Sequence, residues 1–474
     1  MKKAVTAVLF GAGIRGSESY GPYALDYPDE LNFVAVAEPN LVRRERFSAA
    51  HGIPKERQFA SWENVLECEQ MADVVFNCTQ DQMHHASGSA TLEAGYDMLL
   101  EKPISNTLVE SVNLVRTAEA CGRQLGVCHV LRYTDYFKRV YEILRSGRLG
   151  QIITISHREN VASWHMAHSF VRGHWRREEE SAPMILAKCC HDLDLLYWFV
   201  GEPIKHLSSV GSLLHFRREN APPGAPLRCT DGCPVEATCP YFAPSLYIDL
   251  APMKYAMSQA KNPIYRAGGK LASKRPGLVN NLAAIIPGLR RLTEYSGWPR
   301  SALTEEPADE ESLLRALQNG PYGRCVYHCD NDVVDHQIVN MQFESGISAS
   351  LTMHGHSFEE GRTLRIDGSH GTLLGKFGFN QVFLEIRDHR NMTKERIDFP
   401  NQVEKRGHGG GDFGLVRSFV GAIRGERGAF SDTRDSLESH LMAFAAEEAR
   451  LKGTVVDMGE FRARARDPKD FPSN

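Results

Sequence analysis

The sequence predicts an α/β fold in two parts: a doubly wound parallel sheet, then an α/β unit with an open, mostly antiparallel sheet. Three observations predict it. Short apolar, β-prone runs alternate with helical patterns from Ala4 to Cys128. The first run turns directly into Gly11-Ala-Gly13-Ile-Arg-Gly16, and the second ends in Glu38, 22 residues past Gly16. From Asp335 onward, alternating stretches are joined by turn signals such as Ser345-Gly346 and Asp367-Gly368.

Taken in order, the first strands are expected at Ala4–Phe10, Phe33–Ala37, Asp73–Cys78, Asp97–Leu100 and Gln124–Cys128. Two of the intervening helices end in Gly95 and Gly122, where a left-handed residue closes the last turn. In the glycine run, the first glycine makes a tight turn, the second lets backbone approach a pyrophosphate, and the third lets helix and sheet pack closely. Ligands of such sheets lie at the carboxyl ends of the strands. Those tails read Gly11-Ala-Gly13, Glu38-Pro-Asn, Thr79-Gln80-Asp81 and Glu101-Lys102-Pro103. A carboxylate at Glu38 can take both hydroxyls of an adenosine ribose and repels a 2′-phosphate, which selects NAD over NADP.

After Gly150 a strand is expected at Gln151–Glu159, then a His- and Trp-rich stretch from Trp164 to Arg177. One helix is expected over Pro183–Val200, stopped by Gly201 and Pro203. Residues 216–244 are Pro- and Cys-rich without periodicity, and 245–320 read as helices and loops. Strands return at Ile338–Phe343, Ile347–Met353, Thr363–Asp367, Thr372–Leu374 and Val382–Ile386, and helices close the chain near Asp412–Arg424 and Asp435–Lys452. The expected division is a cofactor-binding unit at 1–125 and a substrate-binding unit at 126–474, with an insertion at about 216–320.

The chain has 474 residues, 42% of them hydrophobic and 24% charged, with net charge −4. That balance points to neither a nucleic-acid nor a membrane partner. The opening Met-Lys-Lys imitates a secretory signal, but its apolar run ends in the glycine turn and Arg15 interrupts it. Eleven cysteines, an odd number in a large chain, fit a reducing cytoplasm better than a disulfide framework. Cys229, Cys233 and Cys239 have the ingredients of a structural zinc site. Cys329 would be the fourth ligand, with Cys325 and His328 as other choices; buried or free thiols are the alternative.

Several residues could do chemistry. Lys102, at the ligand end of the sheet, can orient a substrate hydroxyl and move its proton while hydride leaves the carbon. His191 shares a helix face with Lys188. Trp164, His165, His168, Arg172 and His174 have the mixture of flat rings and hydrogen-bonding groups that suits a sugar. His408-Gly409-Gly410-Gly411-Asp412 precedes a helix and reads either as a substrate contact or as a flexible hinge.

The collinear set Gly11–Gly16, Glu38, Thr79–His84, Glu101-Lys102-Pro103, His129–Tyr133, Ser146–Gly150, Gly173–Arg176 and His191–Asp194 resembles the Gfo/Idh/MocA family of NAD(P)-dependent oxidoreductases along most of the chain. The resemblance implies a Rossmann unit paired with an open-sheet α/β unit, acting on sugars, polyols and their derivatives. It implies Lys102 and His191 as the catalytic pair. It places Gly11, Gly13, Ile14, Arg15, Gly16, Glu38, Thr79, Gln80, His84, Glu101, Lys102, Arg132, Trp175 and Arg176 at the cofactor. Lys102, Lys188, His191 and His408 would join the aromatic and basic stretch at the substrate. Many members carry an aspartate four residues before the histidine, whereas this chain has Ala187, so proton transfer rests on Lys102 and His191, with Lys188 beside them. A His-Gly-Gly-x-Asp stretch like that at 408–412 occurs in family members that are NAD-dependent glycosidases.

The expected function is therefore NAD-dependent oxidation or reduction of a sugar, sugar derivative or cyclitol by a cytoplasmic homo-oligomer. The exposed face of the antiparallel sheet would be the dimer surface. The alternatives are a glycosidase working by oxidation, elimination, hydration and re-reduction, and a non-catalytic sensor of NAD and sugar.

Overall fold

The computed structural model describes residues 3–259, 263–274, 295, 297–304, 309–400, 406–426 and 433–466. The first sheet is built from β1 (Val5–Phe10), β2 (Leu31–Ala37), β3 (Gln58–Phe59), β4 (Val74–Asn77), β5 (Asp97–Leu100) and β6 (Leu125–Val127). Their order is β3-β2-β1-β4-β5-β6, and every pair is parallel. Helices cover both faces, so β1 and β4 read as nearly unbroken apolar runs rather than alternating ones. Strand order reverses between β1 and β4, opening a crevice at the strands' carboxyl ends. The two-residue β3 is too short to carry a sequence signal, and the expected strands otherwise form within a few residues of their predicted bounds.

The second sheet has nine strands: β7 (Ile152–Ala162), β8 (Ile204–Ser212), β9 (His336–Phe343), β10 (Ser348–Ser357), β11 (Gly361–Gly368), β12 (Gly371–Gly378), β13 (Val382–Asp388), β14 (Thr393–Asp398) and β15 (Val455–Asp457). The order is β14-β13-β12-β11-β7-β10-β9-β8-β15; β7 and β10 pair in parallel and the other neighbours antiparallel. In β9, buried Gln337, Val339, Met341 and Phe343 alternate with more exposed neighbours, so one face packs on the core. Three strands lack a predicted counterpart. β14 is an edge strand whose charged residues are mostly exposed, which protects the edge and hides it from an apolar pattern. β15 has only three residues, and β8 carries serine and glycine where alternation would be read.

The helix expected over Pro183–Val200 is two helices, Met184–Ala187 and Cys190–Val200, broken at Lys188-Cys189. The helix over Arg406–Ile423 returns to the first sheet, where Leu415, Val416, Phe419 and Val420 pack with Leu9, Phe33 and Phe76. Another, Thr433–Lys452, runs past both sheets. Its buried His440 accepts a hydrogen bond from the Ile104 backbone N–H through Nε2 (2.8 Å) and donates from Nδ1 to the Ser436 carbonyl (2.7 Å). This pins the loop after β5 that carries Lys102. Within the expected insertion, helices form at Ala243–Tyr247, Ala251–Ser258, Pro263–Lys274 and Glu310–Asn319. No helix among the described residues is long and apolar enough to cross a membrane.

The zinc expectation is corrected. Among the described residues, no group of three or more His, Cys, Asp or Glu side chains could hold a metal ion. Cys229, Cys233, Cys239 and Cys325 line a small apolar void beside the buried Arg172 guanidinium, which donates to Cys229 Sγ at 3.5 Å. Cys329 donates instead to the Cys325 carbonyl at 3.3 Å. A fixed cation therefore already sits against these thiols.

His440 should make stability pH-dependent. Burial, then the nearby His129, pushes its pKa down to about 3 from 6.5. Protonating Nε2 would also break the bond from Ile104. Below pH 6.5 the unfolded chain takes up a proton that the folded one refuses until about pH 3, so this contribution to stability is lost as pH falls through that window. In His440→Gln, which keeps a donor and an acceptor without titrating, the thermal midpoint should fall less steeply between pH 6.5 and 4 than in the wild type.

Candidate active site

The crevice is shaped by positions where a side chain does not fit. Gly11 has φ +84°, and a Cβ there would lie 2.4 Å from the Cys78 carbonyl oxygen. A Cβ at Gly16 would lie 2.3 Å from the Gly11 oxygen. At Gly13, by contrast, it would meet no described atom within 4 Å, which leaves open backbone where a pyrophosphate would approach. At the end of β2, Glu38 is 4% exposed and accepts from the backbone N–H groups of Ala12 (2.7 Å) and Asn40 (2.9 Å). These residues fit a dinucleotide: a glycine cradle, and a carboxylate fixed at the ribose position.

Arg15 reaches from this loop into a buried charge cluster. Its guanidinium bonds Glu101, Tyr20 and Asp412. Burial is the largest influence and opposes charge on Glu101 and Asp412, but Arg15, joined by Tyr20 and Lys102 at Glu101 and by His408 at Asp412, outweighs it and holds both carboxyls below their ordinary range. His84 is fully buried, its ring nitrogens 3.1 and 2.6 Å from the Thr79 and Pro103 carbonyl oxygens, so it clamps the tails of β4 and β5 together. Thr79 bonds its hydroxyl to Asn77.

Beside this crevice lies a cavity of about 540 Å³ lined by Lys102, His191, Lys188, Trp164, His165, Trp175 and His408 among others. Lys102 Nζ donates to the Ala187 carbonyl at 2.7 Å and lies 5.9 Å from the Trp175 ring centroid. Trp175 is itself fixed by donating to Asp81 at 3.0 Å. His191 is 7% exposed, and its Nδ1 has no hydrogen-bond partner among the described residues. Burial first, then the charges of Lys102, His129 and His408, pushes its pKa well below the ordinary value, so the imidazole is neutral. His408 is bonded to the buried Asp412 at 3.1 Å and adopts φ +42°, a left-handed conformation that costs a non-glycine residue energy.

Lys188 is not a free ammonium. It lies 3.0 Å from Glu360 and 3.3 Å from Glu159, and these carboxylates outweigh burial to hold its pKa above the ordinary value. Glu360 also bonds His165 at 3.0 Å, while Arg362 ties Glu159 and Asp192 together at 2.8 Å each. Burial pushes the Glu159 carboxyl up to about 7 even so.

Several expected site residues are not part of the cavity lining. His168 is buried against Tyr247, whose hydroxyl it meets at 2.9 Å, and stacks on Tyr322. Arg172 donates to the Arg324 and Tyr241 carbonyls at 2.7 Å each and holds the cysteine loop. Arg132 makes a bidentate pair with Asp194, both bonds 2.7 Å. Arg176 pairs with Asp330 and Glu180, and His174 packs on Trp175. In their place the cavity gains Glu360, Arg362, Trp298, Phe170, Phe377 and Phe379. Glu360 sits in the turn between β10 and β11, and nothing in the local sequence places that turn against residue 188. Trp298 comes from the insertion, where the only sequence signal is a lone tryptophan.

The profile of the oxidoreductase family with an NAD-binding Rossmann fold matches residues 5–129, and that of the GFO/IDH/MocA C-terminal domain matches residues 137–244. Over 219 residues the chain is 26% identical to scyllo-inositol 2-dehydrogenase (NADP(+)) of Bacillus subtilis, covering 45% of this chain and 55% of that one. Over 208 residues it is 28% identical to inositol 2-dehydrogenase 4 of Saccharopolyspora erythraea, covering 42% and 55%. The matched stretches span about half the length of these curated relatives. Among solved structures, levoglucosan dehydrogenase in complex with NADH and levoglucosan superposes with TM-score 0.64 at 15% identity, covering 96% of this chain and all of that one. An oxidoreductase from Agrobacterium radiobacter in complex with NAD+, L-tartaric acid and magnesium gives TM-score 0.63 at 14% identity, covering 97% and 99%. The two sheets, the glycine cradle at their junction and the paired profiles agree: the chain belongs to the Gfo/Idh/MocA oxidoreductase family.

Proposed function

We propose that the protein is an NAD-dependent dehydrogenase of a sugar, sugar derivative or cyclitol, with Lys102 and His191 as its proton-transfer pair. The observation that carries this reading is that Lys102, from the tail of β5, and a neutral His191 line one cavity beside the glycine crevice. The relatives named as inositol and levoglucosan dehydrogenases support a polyol substrate.

NAD, when bound, supplies the hydride acceptor. The chain's own residues do the rest. Gly11 and Gly16 let the turn form, Gly13 leaves room for the pyrophosphate, and Glu38 would receive the ribose hydroxyls. Oxidation of a carbinol carbon requires the hydroxyl proton to leave as hydride departs. Lys102 Nζ, held by the Ala187 carbonyl, orients that hydroxyl and relays its proton, giving one of its own to the neutral His191 as it takes one from the hydroxyl. His191 accepts a proton without first losing one, because burial keeps it neutral. Ala187 has no side chain to contribute, so its backbone oxygen takes over the orientation of the lysine. Lys188 is held by two carboxylates and positions Glu360 and His165 at the cavity wall.

Lys102→Ala and His191→Ala should each lower kcat at least about 100-fold, the range of a lost general acid–base group, with NAD affinity retained. Steady-state kinetics together with NAD titration checks this; near-normal turnover in an NAD-bound Lys102→Ala would show the active site to be elsewhere.

Glu38 should make the wild type prefer NAD over NADP. Removing the carboxylate in Glu38→Ser should narrow the preference by weakening NAD and admitting the 2′-phosphate. Equal wild-type affinity for the two cofactors, measured by calorimetry, would refute the assignment.

A further inference from the structure

The cavity is more aromatic than proton transfer at one carbon requires: Lys102 and His191 line it together with the flat rings of Trp164, Trp298 and Phe379. Trp298 is partly exposed and is held edge-on to His165 and tilted on Trp164, with ring centroids 5.1 and 5.0 Å apart. Its segment is anchored by Arg300, 4% exposed, which donates to the Tyr247 and Ile248 carbonyls at 2.7 and 2.6 Å. Phe379, at the turn between β12 and β13, is 57% exposed although it lines the cavity. Single exposed aromatics are ordinary. Rings from the insertion and from a hairpin turn that open onto one cavity, one of them fixed by a buried guanidinium, make a preorganised wall. Beside these rings stand Lys188 and Glu360, which can bond ring hydroxyls.

We propose that this wall is an outer subsite and that the substrate is a glycoside: a sugar ring at Lys102 and His191, carrying an aromatic or cyclic aglycone against Trp298 and Phe379. This deepens the oxidoreductase reading above and rests on it. Flat π faces bind ring C–H groups and aromatic rings more strongly than they bind a methyl group. The insertion thereby sets specificity, because it brings Trp298 to a site whose proton-transfer residues come from elsewhere in the chain.

The test uses the full-length, NAD-loaded protein and matched methyl and phenyl β-glycosides of glucose, galactose and N-acetylglucosamine, with free glucose and myo-inositol alongside. NADH formation gives kcat/KM, and calorimetry gives Kd. In at least one pair the phenyl glycoside should be better by about tenfold or more in both measures. Trp298→Leu and Phe379→Leu, which keep apolar bulk but lose the flat face, should cut that ratio to below about threefold while NAD affinity stays within about twofold of wild type. Equal values for methyl and phenyl partners, or a phenyl preference that survives both substitutions, overturns the outer subsite. Tighter phenyl binding without NADH from any compound overturns the oxidoreductase reading and leaves the subsite standing. NADH from glucose or myo-inositol with no binding of any glycoside does the reverse, and neither binding nor NADH overturns both.

Discussion

Arg15 between Glu101 and Asp412 is the interaction on which the site depends. The two carboxylates are buried side chains from distant parts of the chain, and the guanidinium comes from the glycine loop. Leaving one of these charges buried without its partner costs on the order of 3–5 kcal/mol. Arg15 therefore fixes three elements at once: the turn after β1, the tail of β5 that carries Lys102, and the helix Arg406–Ile423 that carries His408 and Asp412. His440 secures the same loop from another side through Ile104. The Lys102 side chain is long and flexible, but the backbone beneath it is held at both ends.

A second charge network behaves differently. Lys188, Glu360, Glu159, Arg362, Asp192 and His157 form a linked set in which Lys188 and Arg362 each have two carboxylates within 3.3 Å. Its members at the cavity wall keep their charges in place. That makes it a rigid, charged part of the cavity wall. Lys188, held by two carboxylates, differs in this from Lys102, whose partner is the Ala187 backbone carbonyl.

Much of the chain was legible in its residues, for identifiable reasons. The parallel sheet announced itself because strands buried on both faces must be apolar throughout, and because a pyrophosphate turn tolerates only glycine at Gly11 and Gly16. Lys102 and His191, singled out through the family resemblance, do line one cavity. His168, Arg172 and Arg132 look the same in sequence as residues that reach a ligand. In the structure they meet Tyr247, backbone carbonyls and Asp194, and such long-range satisfaction of a buried polar group has no local mark.

By itself, the sequence determined most of the order of strands and helices and the glycine cradle with an acidic residue at the end of the second strand. Each rests on a periodicity or a short motif within a few residues of chain. The tertiary structure decided which side chains share the cavity. Residues 102, 188, 298, 360, 379 and 408 meet only once two sheets and an insertion have packed. It also decided against a metal among the cysteines, because their spacing along the chain does not say that Arg172 lies beside them. Contacts between distant segments are set by how buried surfaces and charges are satisfied together, and that is a property of the whole fold.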